Sequence, residues 1–247
     1  MIQRGINMKK KIFFAVFIII AAVAFIFIHK IHSDYKQTDA YKFKVEYESL
    51  NNQDNGNGKK YRELSIDKKN RIKYSTAKEI VEMTENKETF IVYFGFSKCP
   101  WCRSMVENLV DLSIANEKDI YYVDVLDIRD TIEYIDGEFK TTKEGDKYYM
   151  KLLDLYADVL SDYTIKLPEG ENPSMDDAFI PEKRIYAPNV IAVVNGEAKE
   201  MVEGVSEELT DPYGEITEEM KETSIKQLKC IFKCINEAGI CTGPASC

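Results

Sequence analysis

The stretch Phe94-Gly95-Phe96-Ser97-Lys98-Cys99-Pro100-Trp101-Cys102-Arg103 holds two cysteines three positions apart, between an apolar run and the start of a helical pattern. Two cysteines at that spacing suit a working dithiol, half of a metal site or a structural staple, and the flanking residues separate these. Thr89 to Phe94 (TFIVYF) reads as a strand buried on both faces. Met105, Val106, Leu109, Val110 and Leu112 follow with the spacing of an amphipathic helix. Cys99 then sits at a first helical turn, facing unpaired backbone N–H groups and the positive end of the helix dipole. Both favour thiolate over thiol. Pro100 suits that turn because its missing N–H is not needed there, and Lys98 and Arg103 add positive charge that tunes the thiol downward. In this reading Cys99 attacks a target sulfur and Cys102 resolves the mixed disulfide. The sulfurs carry the electrons themselves, so the chemistry calls for no cofactor and no metal.

The rest of the chain narrows the choice. The only histidines, His29 and His32, lie at the edge of an N-terminal apolar segment. A body without histidine excludes Ser-His-Asp triads, Cys-His nucleophile pairs and His-bearing zinc sites. At 247 residues with 45% hydrophobic content the chain can bury a core, which excludes a mostly disordered protein. Residues 1–32 carry five basic residues and no acid, leaving a charge of −14 on the remainder of a chain whose net charge is −9. An acidic body repels phosphate backbones, which argues against nucleic-acid partners.

Ile12 to Ile28 is an unbroken apolar run of 17 residues, at the short end of what spans a bilayer. Lys9, Lys10 and Lys11 precede it, so the positive-inside rule keeps that end cytoplasmic and exports the rest. Ala22-Val23-Ala24 has the small-x-small form of a signal cleavage site, but it lies inside the run, so the reading is a single-pass anchor. Met8 is read as the natural start. Residues 1–32 are thus a cytoplasmic tip and a transmembrane helix with the bilayer as partner. Residues 33–72 read as a stem, either a flexible tether or a small β-hairpin around Asn55-Gly56-Asn57-Gly58. Residues 73–247 form the main domain.

Within that domain, Thr76 and Glu79 predict a capping box for a helix reaching about Glu85. Ile120 to Leu126 reads as a second buried strand, and strand–helix–strand at this length predicts a parallel crossover. Residues 128–146 read as an insertion with Asp136-Gly137 as a hairpin turn. A helix is predicted from Asp146 to about Tyr163, and residues 166–184 read as a Pro- and acid-rich loop. Beyond Tyr186-Ala187-Pro188-Asn189, a strand Val190–Val194 turns at Asn195-Gly196 and returns to about Val202. A final helix is predicted from about Thr217 to Glu237, with Gly239 as its stop. Tyr121, Tyr122, Tyr148, Tyr149 and Tyr156 are assigned to packing, and the acidic run Glu207–Glu222 to a solvated face.

This order resembles the thioredoxin superfamily, on Phe90–Phe94, Cys99-Pro100-Trp101-Cys102, Ala187-Pro188-Asn189-Val190 and Asn195-Gly196. It is most similar to anchored, exported thioredoxin-like proteins of Gram-positive bacteria, among them bacteriocin transport accessory proteins. The resemblance covers roughly residues 73–237 and implies a central mixed sheet flanked by helices, with an insertion before the Pro188 hairpin. It implies that Pro188 is cis and faces the dithiol, and that Trp101, Ala187 and Pro188 border the substrate. Two positions depart from the pattern. Tyr93 stands where the family has a buried aspartate, and Lys98 where thioredoxin has a tryptophan.

Cys230 and Cys234 share a helix face but cannot readily bond each other. Cys241 and Cys247 follow in a Gly/Pro-containing tail. The simplest account is two structural disulfides, Cys230–Cys247 with Cys234–Cys241 or the swapped pairing; a second redox centre or an all-cysteine metal site is the other reading. The sequence thus predicts a membrane-anchored extracytoplasmic thiol–disulfide oxidoreductase acting on protein thiols or disulfides and recycled by a membrane redox partner. The alternative is a thioredoxin-fold binding or chaperone-like accessory module for peptide export, in which the dithiol is incidental.

Overall fold

The structure is a computed structural model that describes residues 13, 14, 17, 20, 23–31, 33–166, 177–237, 239 and 241. It is a mixed α/β fold whose central sheet is flanked by helices. The sheet contains β1 (Ile72–Tyr74), β2 (Phe90–Gly95), β3 (Ile120–Asp124), β8 (Asn189–Val194) and β9 (Glu197–Val202), in the order β1-β3-β2-β8-β9. β3 runs parallel to both β1 and β2, as the predicted crossover requires, whereas β8 is antiparallel to β2 and β9 to β8.

β2 lies at the centre and every one of its residues is buried. Its side chains alternate between two cores, as the period of a strand dictates. Ile91 and Tyr93 face the core built with α1 (Asp39–Glu48), α3 (Pro100–Ala115) and α5 (Glu218–Asn236). Phe90, Val92 and Phe94 face the core built with α2 (Ala77–Glu85) and α4 (Lys147–Leu155). The predicted capping box is present at α2: Thr76 accepts from the Glu79 N–H while the Glu79 carboxylate accepts from the Thr76 N–H. Asn195 and Gly196 both take positive φ (51° and 78°), as the tight turn between β8 and β9 demands. Asp136 and Gly137 do the same between β4 (Thr131–Ile135) and β5 (Glu138–Lys143).

Two expectations are corrected. The segment 33–72 is not a flexible tether, and most of it is packed onto the main core. Thr38 caps α1, whose Phe43 and Tyr47 are fully buried in the main core, and Leu64 and Ile66 are buried behind them. FKVEY alternates like a strand, yet Phe43 and Tyr47 are also four apart. Val45 decides between the periods, and it is 44% exposed, as a helix requires. The predicted turn at residues 55–58 does close a short antiparallel hairpin: Asp54 bridges Lys60, the Asn55 amide donates to the Lys59 carbonyl and the Tyr61 amide to the Gln53 carbonyl, both at 2.9 Å.

The helix after Asp146 ends at Leu155 instead of Tyr163. Ser161–Lys166 is β6, paired antiparallel with β7 (Asp177–Arg184), so both flanks of the expected loop are strand. Tyr163, Thr164 and Ile165 are β-favouring residues, which suits them to that ribbon. The intervening residues 167–176 lie outside the described residues.

The expected transmembrane segment, residues 12–28, falls only in part on the described residues. Among the described residues, no helix is long and apolar enough to cross a membrane. Within the 12–28 run, the described residues are helical, and Phe13, Phe14, Phe17, Ile20, Val23 and Phe25–Ile28 are all more than 60% exposed. The other residues of the run lie outside the described residues.

Candidate functional site

Cys99 is the N-cap of α3 and Pro100 its first residue. The cap position is normally taken by Ser, Thr, Asp or Asn, whose oxygen accepts from the first-turn amides. Here the sulfur does so: Cys99 Sγ accepts from the Cys102 N–H at 3.2 Å. Cys99 and Cys102 are both free thiols. On its other side the Cys99 thiol donates to the Ala187 carbonyl at 3.2 Å. Ala187–Pro188 is a cis peptide bond, so the two motifs that the sequence separates by most of the domain meet at the sulfur.

The two thiols have opposite electrostatics. The Cys99 thiol is held below its ordinary value by hydrogen bonding from Cys102 and by the Cys102 and Trp101 backbone amides, against the cost of burial. The guanidinium that adds to this is that of Arg129, which lies over the Phe96 ring at 5.4 Å. Cys102 is pushed well above its ordinary value, chiefly by burial and then by Cys99 itself. One sulfur thus favours its thiolate while the other holds its proton.

The two cations predicted to tune the thiol are placed differently. Lys98 is exposed. Arg103 is buried, and its guanidinium is spent on the loop after α1: it donates to the Tyr47 carbonyl at 2.8 Å, to Asn51 Oδ1 at 2.8 Å and to the Arg62 carbonyl at 3.2 Å. Asn51 in turn pairs with the backbone of Leu64. Arg103 thus acts as a structural anchor for residues 47–64. Arg129 was not singled out by the sequence because it belongs to the loop after β3, remote from the motif.

Trp101, Ala187 and Pro188 do come together. They line a groove of about 330 Å³ with Val205, Leu209 and Glu203. Burial raises the Glu203 carboxyl and the neighbouring Glu207 charge raises it further. The groove therefore combines an apolar floor, the carbonyl that holds Cys99 and an acidic rim.

Behind the dithiol, Tyr93 and Tyr47 are fully buried and their hydroxyls are 2.9 Å apart. Tyr93 shares this core with Cys102, and its hydroxyl opposes the upward push on that thiol. The departure at Tyr93 therefore puts a phenol, and not an apolar group, in the core behind Cys102.

At the C-terminal end, Cys234 and Cys241 are disulfide-bonded with Cα atoms 4.6 Å apart. This belongs to the first of the two expected pairings. Cys230 is disulfide-bonded as well, and Cys247 lies outside the described residues. Comparison with protein-family models, with curated proteins and with solved structures returned no match, so the case for this site rests on its geometry.

Proposed function

We propose that the protein is a thioredoxin-like thiol–disulfide oxidoreductase with Cys99 as nucleophile and Cys102 as resolver. The observation that carries this reading is the Cys99 sulfur at the head of α3, bridging the Cys102 amide and the Ala187 carbonyl beside Pro188. The Cys99 thiolate attacks one sulfur of a protein disulfide, the substrate S–S bond breaks, and the departing sulfur takes up a proton. Cys102 then loses its proton and attacks Cys99 Sγ, expelling the second substrate thiol and leaving a Cys99–Cys102 disulfide. Run backwards, the same steps oxidise a substrate dithiol. The groove bordered by Trp101, Ala187 and Pro188 receives the substrate chain.

The setting proposed for this activity is extracytoplasmic, with residues 12–28 in the bilayer. The lysines before the run, its exposed apolar side chains and the disulfide at Cys234–Cys241 support that setting. The test is exchange between the reduced protein and a peptide disulfide. Cys99→Ser is expected to lose it, and Cys102→Ser to accumulate a mixed disulfide through Cys99. Exchange at the normal rate in Cys99→Ser would overturn the reading.

A further inference from the structure

Cys102 is fully buried, yet its role requires it to give up a proton each time it resolves a mixed disulfide. Among the described residues, the groups that act on it are Cys99, the Tyr93 hydroxyl and the Phe96 amide, with no carboxylate or histidine among them. The phenol ring of Tyr93 is held there by strand geometry. Gly95, two residues on and on the same face of β2, leaves the room: a β-carbon at Gly95 would fall on the Tyr93 ring and hydroxyl. The Tyr93 hydroxyl is 2.9 Å from that of Tyr47 on α1. Tyr122 on β3 stacks on Tyr93 with ring centroids 5.4 Å apart and packs edge-on to Tyr47 at 6.2 Å, and its hydroxyl donates to Glu46 Oε1 at 3.2 Å. Glu46 is half-buried at the domain edge, where Tyr74 also donates to it. Three tyrosine hydroxyls thus cluster in one core between a buried sulfur and a carboxylate near solvent.

We propose, building on the thiol–disulfide reading above, that Tyr93, Tyr47 and Tyr122 form a proton relay that carries the Cys102 proton to Glu46 when Cys102 attacks. With Cys102 as a thiol, each donor points outward: sulfur to Tyr93, Tyr93 to Tyr47, Tyr47 to Tyr122, Tyr122 to Glu46. As the sulfur becomes nucleophilic, every hydroxyl passes its proton on by one position and takes the one behind it. One proton leaves Cys102 and one arrives at Glu46 Oε1; each tyrosine ends neutral, with its hydrogen bond reversed. No phenolate forms, which matters because burial raises Tyr47, Tyr93 and Tyr122 well above the ordinary phenol value. In this relay Tyr93 takes the proton directly from the reacting sulfur. Tyr47, Tyr122 and Glu46 act through it. Asp124, which faces both Tyr122 and Glu46, is the other carboxylate at the outer end.

The full-length reduced protein is mixed with the coloured aromatic disulfide 5,5′-dithiobis(2-nitrobenzoate) in stopped flow. Attack by Cys99 releases one coloured thiolate and resolution by Cys102 releases a second, so the two steps appear as separate phases. Tyr93→Phe, which keeps the ring, is expected to lower the ratio of second-phase to first-phase rate at least tenfold, since positioned general base catalysis is worth roughly 10²–10⁴-fold. Glu46→Gln, at the outer end of the chain and with a hydrogen-bonding group of similar shape, is expected to lower the same ratio. A merely structural chain would leave the ratio untouched in Glu46→Gln. Two phases in the wild type with an unchanged ratio in either folded variant overturn the relay and spare the oxidoreductase reading. A wild type that releases no coloured thiolate overturns both.

Discussion

The Cys99 thiol and the Ala187 carbonyl, 88 positions apart in the chain, are 3.2 Å apart in space. That carbonyl, which lines the groove, and the Cys102 amide hold a sulfur whose residue keeps 3% exposure, while Cys102 has none. The two thiols should therefore be chemically distinguishable. Iodoacetamide added to the reduced protein at pH 7 is expected to alkylate Cys99 and leave Cys102 unmodified, as read by peptide mass spectrometry. Substituting Arg129 with Gln should slow Cys99 alkylation by a few fold at that pH, because its charge is one of the groups that stabilise the thiolate. Equal labelling of both cysteines would contradict the assignment of roles.

Alkaline stability provides a second check. Cys102, Tyr47 and Tyr93 hold their protons to higher pH when folded than when unfolded. As pH rises past the ordinary values, the unfolded chain sheds these protons first and unfolding becomes more favourable. Stability contributed this way is fully present below about pH 9 and falls above it. The slope is roughly 1.4 kcal/mol per pH unit for each group involved. Cys99 has the opposite sign: its lowered value adds stability above the ordinary thiol range, lost as pH falls through the folded value. Denaturant unfolding of the reduced protein between pH 7 and 11 is expected to show a steepening loss, shallower in Cys102→Ser. A flat profile would contradict it.

Arg103 contributes to stability by holding the loop after α1. Arg103→Met takes the guanidinium from the Arg62 and Tyr47 carbonyls and Asn51 Oδ1, of which the last two keep the Leu50 and Leu64 amides, and the expected cost is on the order of 1–3 kcal/mol in urea unfolding. Arg103→Lys should recover little of it, because an ammonium cannot reach three separately placed acceptors in the plane of a guanidinium. A lysine variant as stable as wild type would show that the fork geometry does not matter.

Asp130 and Arg184 form a buried ion pair with side chains only 6% and 8% exposed, linking the start of the β4–β5 insertion to the end of β7. Arg184 also donates to the Asp130 carbonyl at 2.9 Å and lies 4.3 Å from the Tyr163 ring centre. Asp130→Asn leaves a buried guanidinium short of its counter-charge, at an expected cost of roughly 3–5 kcal/mol. Replacing both residues by apolar ones of similar volume should cost less than either single change, and thermal unfolding of the three variants orders them.

How much of this was legible in the sequence differs from element to element. The β2–α3–β3 core was readable because TFIVYF and IYYVDVL are short apolar runs with no competing helical period. Thr76 with Glu79, and Asn195 with Gly196, specify their local geometry through side-chain chemistry alone. α1 was not readable, because Phe43, Val45 and Tyr47 satisfy a strand and a helix at once, and only the buried surface available to them settles it. The surroundings of the thiols were least legible. Arg103 is adjacent to Cys102 and turns away from it, whereas Arg129 and Ala187 act on Cys99 from elements remote in sequence. Spacing along a chain reports on what a helix turn shares; it carries no information on which distant loop returns to it.

The burial of α1 has a practical corollary for anyone expressing this protein in pieces. A fragment beginning at residue 73 would keep both cysteines, the groove and all but one residue of the central sheet, and by sequence it would look complete. It would lack Tyr47 behind Tyr93, Phe43 against Tyr122, and the Tyr47, Asn51 and Arg62 acceptors of Arg103. The site is built from two discontinuous stretches of chain, and the shorter one is the stretch that leads back to the apolar N-terminal run. Excision points belong before Thr38.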